Sequence, residues 1–211
     1  MEPISLEANE AVPGRPFTDP ALTEGDLDML NHMLEDLRGV LEEAETPPAE
    51  VVPYHQQAWR VHGRSHRLIV CNEERLRTHP DLCIVGFFGD RRTDLDIAPL
   101  EEANAAVVAE FREYPGILSY SSASLDSGQW GNMVLHEEPE DAERWRQSVR
   151  HASAVEELSP LHYRCVRIHN ARLDAGLFDD PGIVVHRSKY FDFTGGSEWR
   201  GVRTLTESPA P

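Results

Sequence analysis

The chain has 211 residues, of which 40% are hydrophobic, and this predicts one folded domain with extensions rather than a disordered chain. Its 37 acidic and 20 basic side chains give a formal net charge of −17. Since a surface of that sign repels phosphate backbones and anionic lipid headgroups, we expect neither nucleic acid nor a membrane as a partner.

The cysteines and the first residues of the chain indicate a reducing compartment. Cys71, Cys83 and Cys165 are odd in number and show no C-x-x-C spacing, which favours reduced, buried thiols. No run of 18 apolar residues occurs, and the start, MEPISLEANEAVPG, lacks the basic and apolar regions of a secretory signal. We therefore expect a cytoplasmic protein.

The first 80 residues predict an extension that precedes the main domain. Residues 1–22 are rich in Pro, Glu and Ala without periodicity, and they predict a flexible arm. From Thr23, leucine and methionine side chains recur at spacings of three and four, which predicts a helix to about Glu45. Residues 23–80 are thus a predicted helical extension, in which SHRLIVCN forms one connecting strand.

A stronger pattern spans residues 81–173. Two amphipathic helices alternate with four apolar strands, and Gly or Pro residues end most elements. In chain order the predicted elements are the strand LCIVGFF, a helix from Pro99, the strand ILSYSSASL, a turn at residues 126–128, the strand QWGNMVLH, a helix from about Glu140 to Leu158, and the strand HYRCVRIH. Residues 174–211 hold one further strand, GIVVHRSKYFDF, and a polar tail.

The order β–α–β–β–α–β predicts the α+β class and a ferredoxin-like βαββαβ domain. Such a domain places both helices on one face of a four-stranded antiparallel sheet. The opposite face must then be covered by another part of the chain or by a second subunit.

Two stretches carry a resemblance to a known superfamily. One is the strand QWGNMVLH, and the other is the helix EDAERWRQSVRHASAVEELSP, in which Trp145 precedes His151 and after which a strand begins at His162. With these features the segment 81–170 resembles the dimeric α/β-barrel superfamily, and antibiotic-biosynthesis-monooxygenase-like domains in particular. The resemblance implies a homodimer with packed sheets, and a pocket between sheet and helices or inside the barrel.

The resemblance also implies a range of chemistries. Some members oxidise small aromatic polyketides with dioxygen and no bound cofactor, relatives bind haem through a histidine, and others isomerise or cyclise their substrates. From the resemblance we expect no cofactor, with haem as the alternative. Because the sequence contains no H-E-x-x-H pattern, we also expect no metal site.

Strand alternation sorts the candidate residues of the third strand. Trp130 and Asn132 share one face, where Asn can hold an oxyanion and Trp can wall an apolar pocket. Cofactor-free oxygenases use an Asn–Trp pair of this kind, so the resemblance makes these two residues the first candidates. In the purely structural alternative Trp130 is a core or interface anchor and Asn132 pairs with backbone.

The last strand and the second helix supply the remaining candidates. Alternation predicts that Tyr163, Arg167 and His169 share a face, with Arg167 orienting an anionic or enolate substrate and His169 acting as a general base. Alternatively, Arg167 forms a salt bridge and His169 is only hydrogen-bonded. His151 is a second candidate base or a haem ligand, and otherwise a histidine on the helix flank. Tyr120 and Tyr163 are candidate substrate contacts.

Three functions remain open from the sequence. The first is a small-molecule enzyme of specialised metabolism that performs cofactor-independent oxygenation or proton-transfer cyclisation of an aromatic or polyketide-like substrate. The second is a haem-binding enzyme on the same scaffold. The third is a non-catalytic binding or assembly module, which the acidic surface and the long N-terminal helix would suit.

Overall fold

A single nine-stranded sheet forms the centre of the protein. The computed structural model describes residues 2–44, 51–61, 63–125, 129–179, 182–195 and 197–205. The strand order is β1-β9-β8-β7-β4-β6-β5-β3-β2, in which β1 pairs parallel to β9 and every other pair is antiparallel. The predicted α+β class is confirmed. The predicted four-stranded sheet is wrong in size, because the sheet has nine strands.

The strands and helices have the following bounds. The strands are β1 (Ile4–Leu6), β2 (Gln56–Val61), β3 (Arg64–Val70), β4 (Leu82–Arg91), β5 (Ile117–Ser124), β6 (Gln129–His136), β7 (Tyr163–Leu173), β8 (Val184–Asp192) and β9 (Trp199–Thr204). The helices are α1 (Pro20–Ala44), α2 (Glu73–Thr78), α3 (Ala98–Ala109), α4 (Pro139–Arg146), α5 (Val149–Ser153) and α6 (Ser159–His162). Short 3-10 segments lie at Pro16–Thr18 and Glu110–Glu113, and a π-helical turn spans Ala154–Leu158.

The four strands predicted between residues 81 and 173 occupy the middle of the sheet. They stand in the order β7-β4-β6-β5, so that each helical connection crosses one intervening strand. The hairpin between β5 and β6 is present, whereas its predicted turn at residues 126–128 lies outside the described residues. On either side the sheet continues with β3 and β2, and with β8, β9 and β1.

Helix α1 covers one face of the sheet. Pro20 suits the first helical position because it needs no N–H there, and the Asp19 side chain accepts the Ala21 N–H at 2.9 Å. Its buried apolar side chains are Leu30, Met33, Leu34, Leu37 and Leu41, which pack with apolar residues of the middle strands. The predicted helix is thus present, and its predicted end near Glu45 lies outside the described residues.

Because α1 lies on this face of the sheet, a second subunit is not needed to cover it. The sheet face that a twin subunit was expected to cover is occupied by α1 of the same chain, whose Leu30, Met33, Leu34, Leu37 and Leu41 are 0–2% exposed. A homodimer that packs sheet against sheet has no free face there. The homodimer itself stays a prediction.

The opposite face of the sheet, here called the helix-side face, is covered by α3 to α6. Phe111 and Trp145 reach down onto Ile69, Tyr120 and Val134. The predicted continuous helix from Glu140 to Leu158 is wrong, because the chain is extended at Ser148, whose side chain caps α5 by accepting the His151 N–H at 3.0 Å. As a result Val149 does not pack on the sheet and is 84% exposed.

Residues 4–18 contact the far edge of the sheet. Within the range predicted as a flexible arm, β1 pairs with β9, and the buried Arg203 donates to the carbonyl oxygens of Glu7, Glu10 and Thr18. The C-terminal region forms two strands, β8 and β9, where one was predicted. The division of the chain at residues 22, 80 and 173 stays a prediction.

Two further sequence expectations can be compared with the described residues. Cys71 and Cys165 are buried, Cys83 is half-buried, and all three are free thiols. Within the described ranges, none of the helices combines the length and apolarity that crossing a bilayer requires. The cytoplasmic location stays a prediction.

Candidate functional site

A row of side chains crosses the helix-side face of the sheet. Arg67 of β3 stands opposite Ser122 of β5, Ser122 opposite Asn132 of β6, and Asn132 opposite Phe87 of β4. Directly opposed residues on one face have Cβ atoms about 5 Å apart, so these four side chains are neighbours. We call them the helix-side row. Arg67, Asn132 and Phe87 are only half-buried beneath the helices.

Arg67 brings a positive charge to this row. Its guanidinium donates to Ser122 Oγ at 3.2 Å and to the Tyr120 hydroxyl at 2.9 Å, and it lies 4.9 Å from the Tyr120 ring centre. With its amide oxygen turned toward Arg67, Asn104 of α3 accepts from Nη1 and Nη2 at 3.0 and 2.9 Å. No carboxylate of the described residues lies within 4.0 Å of this guanidinium, so the charge is hydrogen-bonded but not neutralised.

Aromatic side chains extend the site toward the end of β4. Trp130 lies two residues before Asn132 on the same face, and the Arg91 guanidinium covers its ring at 4.4 Å. Tyr163 lies over Gly89 and packs edge-on against Phe87 at 5.3 Å. Burial raises the pKa of the Tyr163 hydroxyl, and the Arg91 guanidinium opposes this by its charge and a hydrogen bond.

The position of Tyr163 corrects the alternation predicted for the last strand. Asp90 pairs with Cys165 but Arg91 pairs with Tyr163, so a bulge shifts the register between these two pairs. The extra residue turns Tyr163 to the helix-side face, whereas Cys165, Arg167 and His169 face α1. The prediction that Tyr163 shares a face with Arg167 and His169 is therefore wrong.

Arg167 and His169 form a buried network with α1. Arg167 donates to both carboxylate oxygens of Asp26 at 2.6 and 2.7 Å. His169 Nε2 lies 2.9 Å from Asp26 Oδ2, and since a carboxylate only accepts, this nitrogen carries the proton. The other ring nitrogen, Nδ1, then accepts from Ser188 Oγ at 2.8 Å.

The Ser188–His169–Asp26 chain has the residue types of a nucleophilic triad, but its surroundings differ. Ser188 and His169 are 0% exposed, and Arg167 shares the carboxylate. A nucleophile must reach its substrate, whereas this serine is enclosed between α1 and the sheet. These hydrogen bonds and the ion pair connect α1 to β7 and β8. The catalytic roles of Arg167 and His169 stay predictions.

His151 belongs to the helical layer on this side of the sheet, next to Trp145. Its ring centre lies 4.5 Å from that of Trp145, and its Nδ1 is buried without a hydrogen-bond partner among the described residues. Burial lowers the pKa of His151, so the ring is neutral near pH 7 and has an acceptor nitrogen. On the sheet below, the ring centre of His136 lies 5.9 Å from that of Trp145.

The structure therefore brings four of the seven predicted site residues to one face. Tyr120, Trp130, Asn132 and Tyr163 share the helix-side face, His151 lies in the layer above it, and Arg167 and His169 lie on the far side of the sheet. Sequence reasoning missed Arg67 and Arg91 as site residues. For Arg91 the sequence offers a usable signal, because two adjacent arginines follow an apolar strand in a chain of net charge −17. For Arg67 the sequence offers no such signal.

The residues that could hold a metal or a haem are limited. In the part of the chain that the structure describes, His, Cys, Asp and Glu side chains form no group of three suited to a metal ion. A haem needs a histidine nitrogen directed at an open cavity, whereas both ring nitrogens of His169 are hydrogen-bonded and His136 is 0% exposed. The haem alternative stays a prediction, which a Soret band after addition of haemin would support.

Comparison with known proteins gives no identification. No family model matches the chain, and no curated protein matches it significantly. Among solved structures it is similar to protein SO0527 from Shewanella oneidensis, with a TM-score of 0.39 and 9% identity over 45% of this chain and 92% of that one.

Two aldoxime dehydratase structures are also similar. One, in complex with butyraldoxime, has a TM-score of 0.31 and 15% identity over 60% of this chain and 36% of the other. The second has a TM-score of 0.29 and 13% identity over 68% of this chain and again 36% of the other, so the chain spans about a third of either enzyme. At such scores these likenesses carry no conclusion, and the predicted superfamily stays a prediction.

Proposed function

We propose that the protein is a small-molecule enzyme whose reaction takes place over the helix-side row. The observation that carries this proposal is the placement of Asn132 on a half-buried face that it shares with Arg67, one position of the helix-side row away across Ser122. Among the described residues, Arg67 has hydroxyl and amide partners but no carboxylate partner. An amide and a guanidinium on the same incompletely covered face are suited to hold a substrate oxygen that becomes negative.

The reaction that these groups support is removal of a proton from an acidic C–H or O–H bond. The electron pair left behind delocalises onto a substrate oxygen, which receives hydrogen bonds from Asn132 and the charge of Arg67. Phe87 and Trp130 form the apolar walls against which an aromatic or polyketide-like ring system packs. Tyr120 orients Arg67 through the hydrogen bond between them.

His151 is the base in this proposal. Its lowered pKa keeps the imidazole neutral at pH 7. Its Nδ1, which is buried without a partner among the described residues, accepts the proton when the helical layer moves to admit the substrate. The resulting carbanion or phenolate then either closes a ring or reacts with dioxygen, which corresponds to the cyclase and the monooxygenase of specialised metabolism. The proposal requires neither a cofactor nor a second subunit.

Proton abstraction can be measured directly without the natural substrate. We expect the protein to accelerate exchange of the acidic C–H of 1-phenylbutane-1,3-dione for deuterium, followed by NMR in D₂O. Asn132→Ala should lower the catalysed rate on the order of 100-fold, because an oxyanion donor contributes about that much. Asn31→Ala, the same change at an exposed position of α1, is the matched control.

Two outcomes would refute the proposal. One is a wild-type exchange rate equal to that of buffer. The other is an Asn132→Ala variant with the wild-type rate. Binding of the dione without any acceleration would favour the non-catalytic binding module instead.

A further inference from the structure

A cleft of about 320 Å³ opens beside the proposed site, at the end of β4. It lies between the last residues of β4, the loop into α3 and the end of α6. Its lining residues are Arg91, Arg92, Thr93, Leu95, Ile97, Leu100 and His162. Because Arg91 also covers the ring of Trp130, the cleft and the helix-side face share this one side chain.

Among the described residues, the two arginines of the cleft have no acidic partner. Arg91 Nε is buried without a hydrogen-bond partner among the described residues. Arg92 donates only to backbone carbonyl oxygens, that of Tyr163 at 3.3 Å and that of Phe193 at 3.0 Å. These bonds hold the Arg92 guanidinium in place but leave its charge uncompensated, and within the described ranges no carboxylate comes within 4.0 Å of either side chain.

Two neighbouring acidic side chains, those of Asp90 and Asp96, accept hydrogen bonds from other groups. Asp90 accepts two hydrogen bonds from Arg164 at 2.8 and 2.6 Å, and Asp96 accepts the Ala98 N–H at 3.0 Å. Although the chain has 37 acidic residues, the lining of this cleft contains two adjacent arginines and no acidic side chain. The field of such a site favours an anionic ligand.

Apart from Thr93 and His162, the rest of the cleft is apolar. Leu95 and Ile97 are 44% and 38% exposed, and with Leu100 they form the wall that faces the arginines. A ligand that satisfies both sides has an apolar body and one compact anionic group. A carboxylate suits the planar Arg91 guanidinium best, because the two groups match in shape and can form paired hydrogen bonds.

We infer that this cleft binds the carboxylate of the substrate, so that the substrate class is an apolar, ring-containing carboxylic acid. The inference rests on the proposed function, since it places the acid group at Arg91 and Arg92 and the ring system against Trp130. The carboxylate is held away from the reacting atoms and fixes the ring over the helix-side row.

Calorimetric titration with 2-naphthoate and with 2-naphthamide tests the inference, because the two probes differ in charge and hardly in shape. We expect the wild-type protein to prefer the carboxylate, and we expect Arg91→Met to reduce this preference about tenfold. Arg164→Met removes an arginine that Asp90 already neutralises and is the matched control. Circular dichroism confirms that each variant is folded.

Equal affinity of the wild-type protein for both probes would overturn the inference, as would an unchanged preference in Arg91→Met. A second measurement is independent of any variant: higher salt should weaken 2-naphthoate binding and leave 2-naphthamide binding unchanged. Failure of the proposed function is distinguishable, since it appears as absent deuterium exchange of the neutral dione whatever the carboxylate preference.

Discussion

The carboxylate of Asp26 in α1 and the guanidinium of Arg167 in β7 form a bidentate ion pair between residues 141 positions apart in the chain. Both side chains are buried, and His169 donates a third hydrogen bond to the same carboxylate. The leucines of α1 can pack on a sheet in several registers, whereas this planar pair has only one geometry. We infer that the pair fixes the position of α1 on the sheet.

Replacing Asp26 by Asn should therefore destabilise the protein strongly. The substitution removes the negative charge and leaves Arg167 buried without compensation, which costs about 3–5 kcal/mol. Urea denaturation measures this as a fall in the free energy of unfolding. Asp28→Asn makes the same change at an exposed position of α1 and should alter that free energy by less than about 0.5 kcal/mol.

Replacement of both partners separates the ion pair from the packing around it. In Asp26→Leu combined with Arg167→Met no buried charge is left unpaired, so part of the lost stability should return. If Asp26→Asn unfolds at the wild-type urea concentration, the pair does not fix α1.

Gly89 is a second position where a small change should have a large effect. A methyl group added there would overlap the Tyr163 ring and contact Phe87, two walls of the proposed site. Gly89→Ala should cost about 1–3 kcal/mol in the free energy of unfolding, because the Tyr163 ring must move. It should also weaken binding of 1-phenylbutane-1,3-dione, measured by titration calorimetry.

Gly39 offers the opposite case within the same chain. It lies inside α1 with nothing within 4 Å of an added methyl group, so Gly39→Ala should stabilise the protein by about 0.5–1 kcal/mol through helix propensity. The interpretation of Gly89 would be wrong if both alanine variants melted at the same temperature with unchanged dione binding.

Local patterns in the sequence were sufficient for the elements that bury apolar side chains periodically. The four middle strands and α1 were predicted because alternation or a spacing of three and four is visible in a few residues. The face shared by Trp130 and Asn132 followed from the same alternation, since β6 contains no bulge that would shift it.

The features that were missed depend on partners distant in the chain. The bulge that turns Tyr163 exists only in the pairing of β7 with β4, and the partner of Arg167 lies in another element. The interruption at Ser148 was hidden because Trp145, Ala152 and Val155 suit one continuous apolar stripe. Strand β1 is three residues long, too short to show a pattern of its own.

The imidazole of His136 should make stability depend on pH. It is 0% exposed, neither ring nitrogen has a hydrogen-bond partner among the described residues, and burial lowers its pKa from 6.5 to about 4. Between these two values the unfolded chain binds more protons than the folded one, so the free energy of unfolding falls as the pH drops. The loss from pH 7 to pH 4 amounts to roughly 3 kcal/mol, and it is absent above about pH 7.

His136→Phe should make this pH dependence shallower, because phenylalanine keeps an aromatic ring beside Trp145 and cannot be protonated. Urea denaturation at pH 4.5 and pH 7 compares the two proteins, with His32→Gln, an exposed position in α1, as the control. Some dependence should remain in His136→Phe, since burial lowers the pKa of His151 in the same direction. A variant with the full wild-type loss of stability at pH 4.5 would show that His136 is not the residue responsible.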